Sequence, residues 1–392
     1  MGVTRRYRGE SEKLLVPLLN LFTMETLKIA FVYDVVYPWV KGGVERRIYE
    51  LAKRLARDHE VHVYGYKHWE GKNEIERDGI HYHGLAPAPK RLYLLGKRNP
   101  LPMLRLASRL RRRIGEFRWY DIVDVQNLFY PGALALKSLP STVITWHEFW
   151  GPYWWRYLGP GGLPGWLSER ALFTAEHHIS VSWKTKHDLL RAGLRKPVPV
   201  VPNGVDVEFI QAIPPDELES DVIFVGRLIS EKGVDFLLKA LVKVKEELPD
   251  VRAVIVGGGP ERKRLERMAK GLGLEKNVLF TGFLPYKRVI ALMKASKVFV
   301  LPSLREGFGM VALEAMACGL PVVTLNAPMN AARFLVEDGK NGFVVDESQL
   351  SDTLASLLFD KAFLKLIGRV SREISAEYDW DAVVRLLLDV YV

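Results

Sequence analysis

The chain has 392 residues, 48% hydrophobic and 26% charged, enough for two buried cores, so a disordered or low-complexity protein is excluded. One cysteine, Cys318, excludes a disulfide framework and a cysteine-based zinc site, and with only three glutamines (Gln126, Gln211, Gln349) it fits a thermophilic source. The net charge of +10 is uneven. Residues 1–200 hold 32 Lys and Arg against 19 Asp and Glu, and the remainder 24 against 27, which points to an anionic partner or surface met by the first half.

At the start, Arg5, Arg6 and Arg8 precede the apolar run Leu14–Leu19, as in a signal peptide. The run is short, broken by Pro17 and Asn20, and lacks a small-x-small cleavage site, so residues 1–23 read as a leader and the folded protein begins near Met24. No stretch reaches 18 apolar residues, so no transmembrane helix is expected. Lys28–Tyr33 has the length and character of a strand. A glycine loop, Lys41–Val44, leads into a helix over Glu45–Arg57 with Ile48, Leu51, Ala52 and Leu55 on one face, and Val61–Tyr64 is the next strand. This is a βαβ unit.

From Gly79 to Tyr120 there are ten basic residues and one acid, Glu116. Leu101, Leu104, Leu106, Leu110 and Ile114 are interleaved with the arginines to give a basic amphipathic helix. Ile122–Val125, Val143–Trp146 and His178–Val181 read as further strands. Five tryptophans crowd residues 146–166: Trp146, Trp150, Trp154, Trp155 and Trp166. Basic helices and amphipathic aromatics suit an anionic membrane face or an aromatic acceptor pocket. Nucleic acid is disfavoured because no binding motif accompanies the charge.

The second half repeats the scheme: strands at Asp221–Gly226, Val251–Val256, Val278–Phe280, Val298–Leu301 and Pro321–Thr324, and helices at Val234–Glu247 and Glu261–Gly271. With the proline-rich stretch Pro197–Pro215 between them, the two series predict an α/β protein of two Rossmann-like domains with parallel sheets facing a cleft. The domains are expected at 24–202 and 221–370, with a linker over 203–220 and a C-terminal helix, 371–392, packing back on the first domain. Asp379-Trp380-Asp381, the only D-x-D, lies beside that helix and reads as a cap. Cys318, on an apolar helix, reads as core.

The chemistry concentrates between Leu301 and Ala315. A strand ends at Leu301, Gly307-Phe308-Gly309 makes a turn, and a helix starting near Gly309 offers free N–H groups to an anion. Glu306 and Glu314, about 12 Å apart if helical, cannot share a proton or a metal. They can hold hydroxyls at the two ends of an elongated ligand whose phosphates rest on the helix N-terminus, which is the layout of a sugar nucleotide. Arg227 and Lys232, after the strand ending at Gly226, supply two cations able to neutralise a diphosphate without a metal.

Glu306-x7-Glu314 within Glu-Gly-Phe-Gly, Gly226-Arg227-Leu228-x-x-Glu231-Lys232-Gly233, Val201–Asp206, Gly257-Gly258-Gly259-Pro260 and Gly42-Gly43-Val44-Glu45 occur in one order from Leu27 to Val392. In these the chain resembles the retaining glycosyltransferases of the GT-B fold, the large GT4-type family that includes glycogen-synthase-like and mannosyltransferase-like enzymes. The resemblance implies hexose transfer from a UDP-, GDP- or ADP-sugar to a glycan or lipid-linked acceptor, with no metal and no cofactor. It places Glu314 on the ribose, Glu306 on the sugar, and Gly307, Phe308, Gly309 and Met310 at sugar and phosphate. Gly43 would meet the phosphate from the other domain, and Gly226, Gly258 and Phe283 would complete the nucleotide site. His147 would contact the donor sugar, although Glu148 stands where the family more often has Asp. After Thr324 the family's Gly-Gly pair and Glu are replaced by Asn326–Arg333. A sugar-nucleotide epimerase of the same architecture, or an inactive basic membrane- or nucleic-acid-binding protein, are the alternatives. A NAD-dependent oxidoreductase is disfavoured because no G-x-G-x-x-G follows the first strand. A cytoplasmic enzyme, peripheral at the inner membrane face, is expected.

Overall fold

The computed structural model describes residues 26–91, 93–94 and 97–392; the leader assigned to 1–23 and the side chains of Lys97 and Arg98 lie outside that description. The first sheet orders its seven strands Glu74–Arg77, Ile80–Pro87, Glu60–Lys67, Lys28–Val32, Ile122–Gln126, Thr142–Trp146, His177–Ser180. All neighbours are parallel except the first pair. The second sheet is parallel throughout, ordered Val278–Gly282, Ala253–Val256, Ser220–Val225, Ser296–Leu301, Val322–Leu325, Gly342–Val345. Its central strands are buried on both faces, which is why they read as unbroken apolar runs.

Each sheet has its own core. The stretch 203–220, read as a linker, contains the helix Val207–Ala212, and its Val205, Ile210 and Ile213 belong to the second core. The helix Lys361–Ala376 stays with that domain through Ile367, whereas Trp380–Tyr391 returns to the first, burying Trp380, Val383 and Leu387 there. Asp379 caps this last helix by accepting from the Asp381 amide at 2.9 Å. Cys318 is buried, which pushes its thiol up to about 12.

The basic helix runs Pro100–Arg112 and ends before Ile114. Its leucines divide: Leu106 and Leu110 are buried, while Leu101 and Leu104 are exposed. Of its arginines, Arg109 and Arg111 are partly structural, donating to the carbonyls of Leu85 (2.6 Å) and Ala135 (3.4 Å).

Candidate active site

Every motif of the second domain follows the C-terminal end of a parallel strand, the place where open α/β sheets bind ligands. Strand Ser220–Val225 delivers Gly226 and Arg227, Ala253–Val256 delivers Gly257–Gly259, and Ser296–Leu301 delivers the turn to Glu306. Gly257, at φ +130°, lies so close to Gly226 that a side chain would fall 1.9 Å from the Gly226 carbonyl oxygen, so the loops close only with glycine there. Gly258 sits under the Phe283 ring, where a methyl group would come 2.7 Å from it. Phe283 is 79% exposed, a platform rather than a core residue.

Glu306 lies in a two-residue parallel ladder with Met329–Asn330, so the segment that departs from the family frames it. Asn330 is buried and anchors that segment by donating to Thr324 Oγ1 and the Leu325 carbonyl, both at 2.9 Å. The Glu306 carboxylate accepts from Ser303 Oγ at 2.9 Å and is ion-paired with Lys232. Lys232, expected at the diphosphate, is thus brought to Glu306, the acid expected at the sugar. Arg227 is exposed. Gly309 caps the helix Met310–Ala317 at φ +99°. Phe308 is buried against Tyr378, so only its backbone can face a ligand.

The first domain reaches this wall at three places. Gly43, the first residue of the helix Gly43–Leu55, stands against Met310, whose sulfur would be 3.4 Å from a methyl group at Gly43. Arg46, one turn on, pairs with Glu314: Nη1 to Oε1 is 2.7 Å, and the Tyr286 hydroxyl donates to the same oxygen at 2.9 Å. The guanidinium lies 4.3 Å over the Tyr286 ring. Burial opposes its charge, but Glu314 and Tyr286 outweigh burial and hold its pKa above the ordinary value. Finally, Arg305 pairs with Glu148. Neither Arg46 nor Arg305 was picked out from the sequence, and their partners lie 268 and 157 residues away in the chain.

His147 is buried, and its Nε2 faces Gln126 Oε1 at 2.7 Å. Gln126 donates to Asp124, which also accepts from Thr145 and Tyr391. Burial first and the Arg47 charge second lower His147 to about 3; it is neutral at working pH, and with the amide oxygen as acceptor its Nε2 carries the proton. Trp146, counted among the interfacial aromatics, is a core residue with 0% exposure; Trp155 is 45% exposed. Among the described residues, no group of three His, Cys, Asp or Glu side chains could hold a metal, and no helix is long and apolar enough to cross a membrane.

Two Rossmann-like domains, with anion-receptive loops at the strand ends of one and a glycine turn of the other against them, define a GT-B glycosyltransferase. Comparison with known proteins agrees. The models for glycosyl transferases group 1 and for glycosyltransferase family 4 match residues 206–373 and 41–209. A D-inositol 3-phosphate glycosyltransferase of Xylanimonas cellulosilytica is 34% identical over 305 residues, 70% of this chain and 72% of that one. A GDP-mannose-dependent alpha-(1-6)-phosphatidylinositol monomannoside mannosyltransferase of Mycolicibacterium smegmatis is 28% identical over 86% of this chain and 91% of its own. In fold, the sucrose-phosphate synthase of Thermosynechococcus elongatus superposes with a TM-score of 0.75 at 21% identity, covering 93% and 98% of the two chains. The chain belongs to the glycosyl transferases group 1 family and is a glycosyltransferase.

Proposed function

We propose that the protein transfers a hexose, with retention and without a metal, from a UDP-, GDP- or ADP-sugar to a lipid-linked, phosphate-bearing glycan acceptor at an anionic, cytoplasmic membrane face. The observation that carries the reading is that Phe283, Gly258, Arg227 and the turn to Glu306 follow neighbouring strands of the second sheet in that order, with Lys232 paired to Glu306 and Gly43 set against Met310. Base, diphosphate and sugar fit along these strand ends in that order. The diphosphate takes the helix N-terminus and Arg227. Lys232 divides its charge between Glu306 and the leaving phosphate. With His147 neutral and its Nε2 engaged, the leaving phosphate itself takes the acceptor proton on the same face.

The two relatives act, by name, on phosphatidylinositol monomannoside and on inositol 3-phosphate, and both are phosphate-bearing. The outer face of helix Pro100–Arg112 presents Leu101, Leu104, Arg105 and Arg112 together. Arg112 and Arg113 line a cavity of about 560 Å³ with Lys28, Trp119 and Tyr120 at the strand N-termini, the end of the sheet remote from the cleft. These cations therefore serve a surface better than they serve the acceptor pocket, at about 1 kcal/mol each near an anionic bilayer.

A thermal-shift panel of UDP-, GDP- and ADP-sugars in EDTA tests the donor, since a ligand at 100 times its Kd adds about 2.7 kcal/mol. NMR of the anomeric configuration tests retention, and inversion, or an epimerised nucleotide in place of transfer, overturns it. Co-sedimentation with anionic vesicles at low and high salt tests the membrane, comparing wild type with Arg105, Arg112 and Arg113→Gln. Equal, negligible binding by both refutes the surface and leaves a soluble acceptor.

A further inference from the structure

We propose that the segment from Glu148 to Tyr153 is a clasp that grips Arg305 across the cleft, and that Arg305 is thereby a positioning residue for Glu306, with Glu148 as its anchor. The inference rests on the reading above that Glu306 holds the donor sugar.

Arg305 and Glu306 are consecutive in the ladder with Met329–Asn330, so their side chains leave the backbone on opposite sides. Glu306 turns to Lys232 and Ser303 within its own domain. Arg305 crosses to the first domain, where its guanidinium pairs with Glu148 and lies 4.3 Å from the centroids of both the Trp150 and the Tyr153 rings. A planar cation in the corner of two rings set at 85° to one another, with a carboxylate beside it, is a contact that suits arginine better than lysine. Burial works against the Arg305 charge, but Glu148 outweighs it and keeps the group above its ordinary range.

The clasp is built to be stiff. Trp150 Nε1 donates to Glu148 Oε2 at 2.9 Å, tying ring and carboxylate together. Glu169, fully buried, accepts from the Trp150 and Gly151 amides at 2.7 and 2.8 Å and from the Tyr130 hydroxyl at 2.8 Å. Asn127 donates to the Glu148 carbonyl at 2.9 Å. Gly307, beyond Glu306, is pressed against the same segment, where a methyl group would lie 2.7 Å from Glu148 Cγ. Because Glu306 and the first domain belong to units with separate cores, tying the residue next to Glu306 to the other unit removes a freedom that would misplace the reacting centres.

The test uses Arg305→Lys, Glu148→Gln and their double variant in the full chain, with circular dichroism melts to establish folding. Transfer is expected to lose about tenfold or more in kcat while the donor KM stays within about twofold, because the base and ribose contacts are untouched. The double variant should be no slower than the slower single, since both remove one device. Small-angle scattering without nucleotide should show a larger radius of gyration for each variant than for wild type. Glu148→Asp, which keeps the charge but shortens the reach, serves if Arg305→Lys does not fold, with a smaller change of the same sign. Wild-type kcat in either variant, or additive losses in the double, overturns the positioning role; an unchanged radius of gyration overturns the clasp. If wild type transfers sugar from no nucleotide donor, the proposed function fails, and the scattering result alone still decides the clasp.

Discussion

Replacing Lys232 with methionine separates the electrostatics of this site from its chemistry. In the ion pair with Glu306 the two side chains are 18% and 12% exposed. Removing one member of a buried pair costs about 3–5 kcal/mol, chiefly because the other charge is left behind. Ser303 still donates to Glu306 at 2.9 Å, and the residual exposure admits water, so the lower end, about 3 kcal/mol, is expected. Lys232→Met with Glu306→Gln leaves no stranded charge and should recover about 2 of those roughly 3 kcal/mol, so the double variant is more stable than Lys232→Met alone, the opposite of additivity. Turnover should not recover. A preorganised charge lost from a developing phosphate costs about 3–4 kcal/mol of barrier, roughly 10²–10³ in rate, and the double variant has lost the sugar contact as well. Urea unfolding at constant m-value gives the stabilities, and transfer in EDTA gives the rates. Additive destabilisation would show that the pair carries no energy, and wild-type turnover of Lys232→Met in EDTA would refute the role of the lysine at the leaving group.

Arg46→Met should destabilise the protein by about 2 kcal/mol yet tighten nucleoside-diphosphate binding by about tenfold or more, the worth of one charged hydrogen bond the ribose need not displace. Glu314→Ala should weaken that binding at least about tenfold by calorimetry, and equal weakening by both variants would refute displacement. Gly309→Ala should cost about 1–3 kcal/mol, since φ is +99° and the new methyl would meet the Ala332 Cβ at 2.6 Å; an unchanged unfolding midpoint would contradict this. Stability should fall on acidification. Burial lowers His147 to about 3 and His178 to about 4, below the unfolded value of about 6.5. Below that pH the unfolded chain takes up protons that the folded chain refuses, so each histidine withdraws about 2 kcal/mol by pH 5; equal urea midpoints at pH 5 and 7.5 would contradict this.

The fold was legible where burial is two-sided. Ala253–Val256 and the Val298–Leu301 stretch of the second sheet are apolar without interruption because they are buried on both faces. Glu74–Arg77 and Ile80–Pro87 were missed for the opposite reason. In the latter, Ile80, Tyr82 and Leu85 face the core, but His81 and His83 interrupt them, leaving a one-sided edge pattern. The helix Gly43–Leu55 starts two residues before the expected Glu45 because Gly42, not a side chain, occupies its cap. The tryptophans misled because indole suits a core and an interface equally: Trp146 donates to His178 at 3.1 Å inside the first domain. Composition cannot tell that from Trp155 at the surface.

The glutamates of the motif were readable because their neighbours, glycines and a helix start, are local. Their partners were not, because tertiary structure supplies them from afar. Arg46 follows directly on Gly-Gly-Val-Glu, yet nothing in its spacing points to Glu314. The consequence is more than incomplete foresight. Both acids already hold internal cations, Lys232 on Glu306 and Arg46 on Glu314, so under the proposed function a donor would exchange partners with the protein instead of meeting bare carboxylates. Its affinity is then a difference between two sets of charged hydrogen bonds, each of order 1.5–3 kcal/mol, and not their sum. Such a site keeps its charges oriented with little reorganisation at the moment of reaction, while the nucleotide product leaves by the same exchange run backwards.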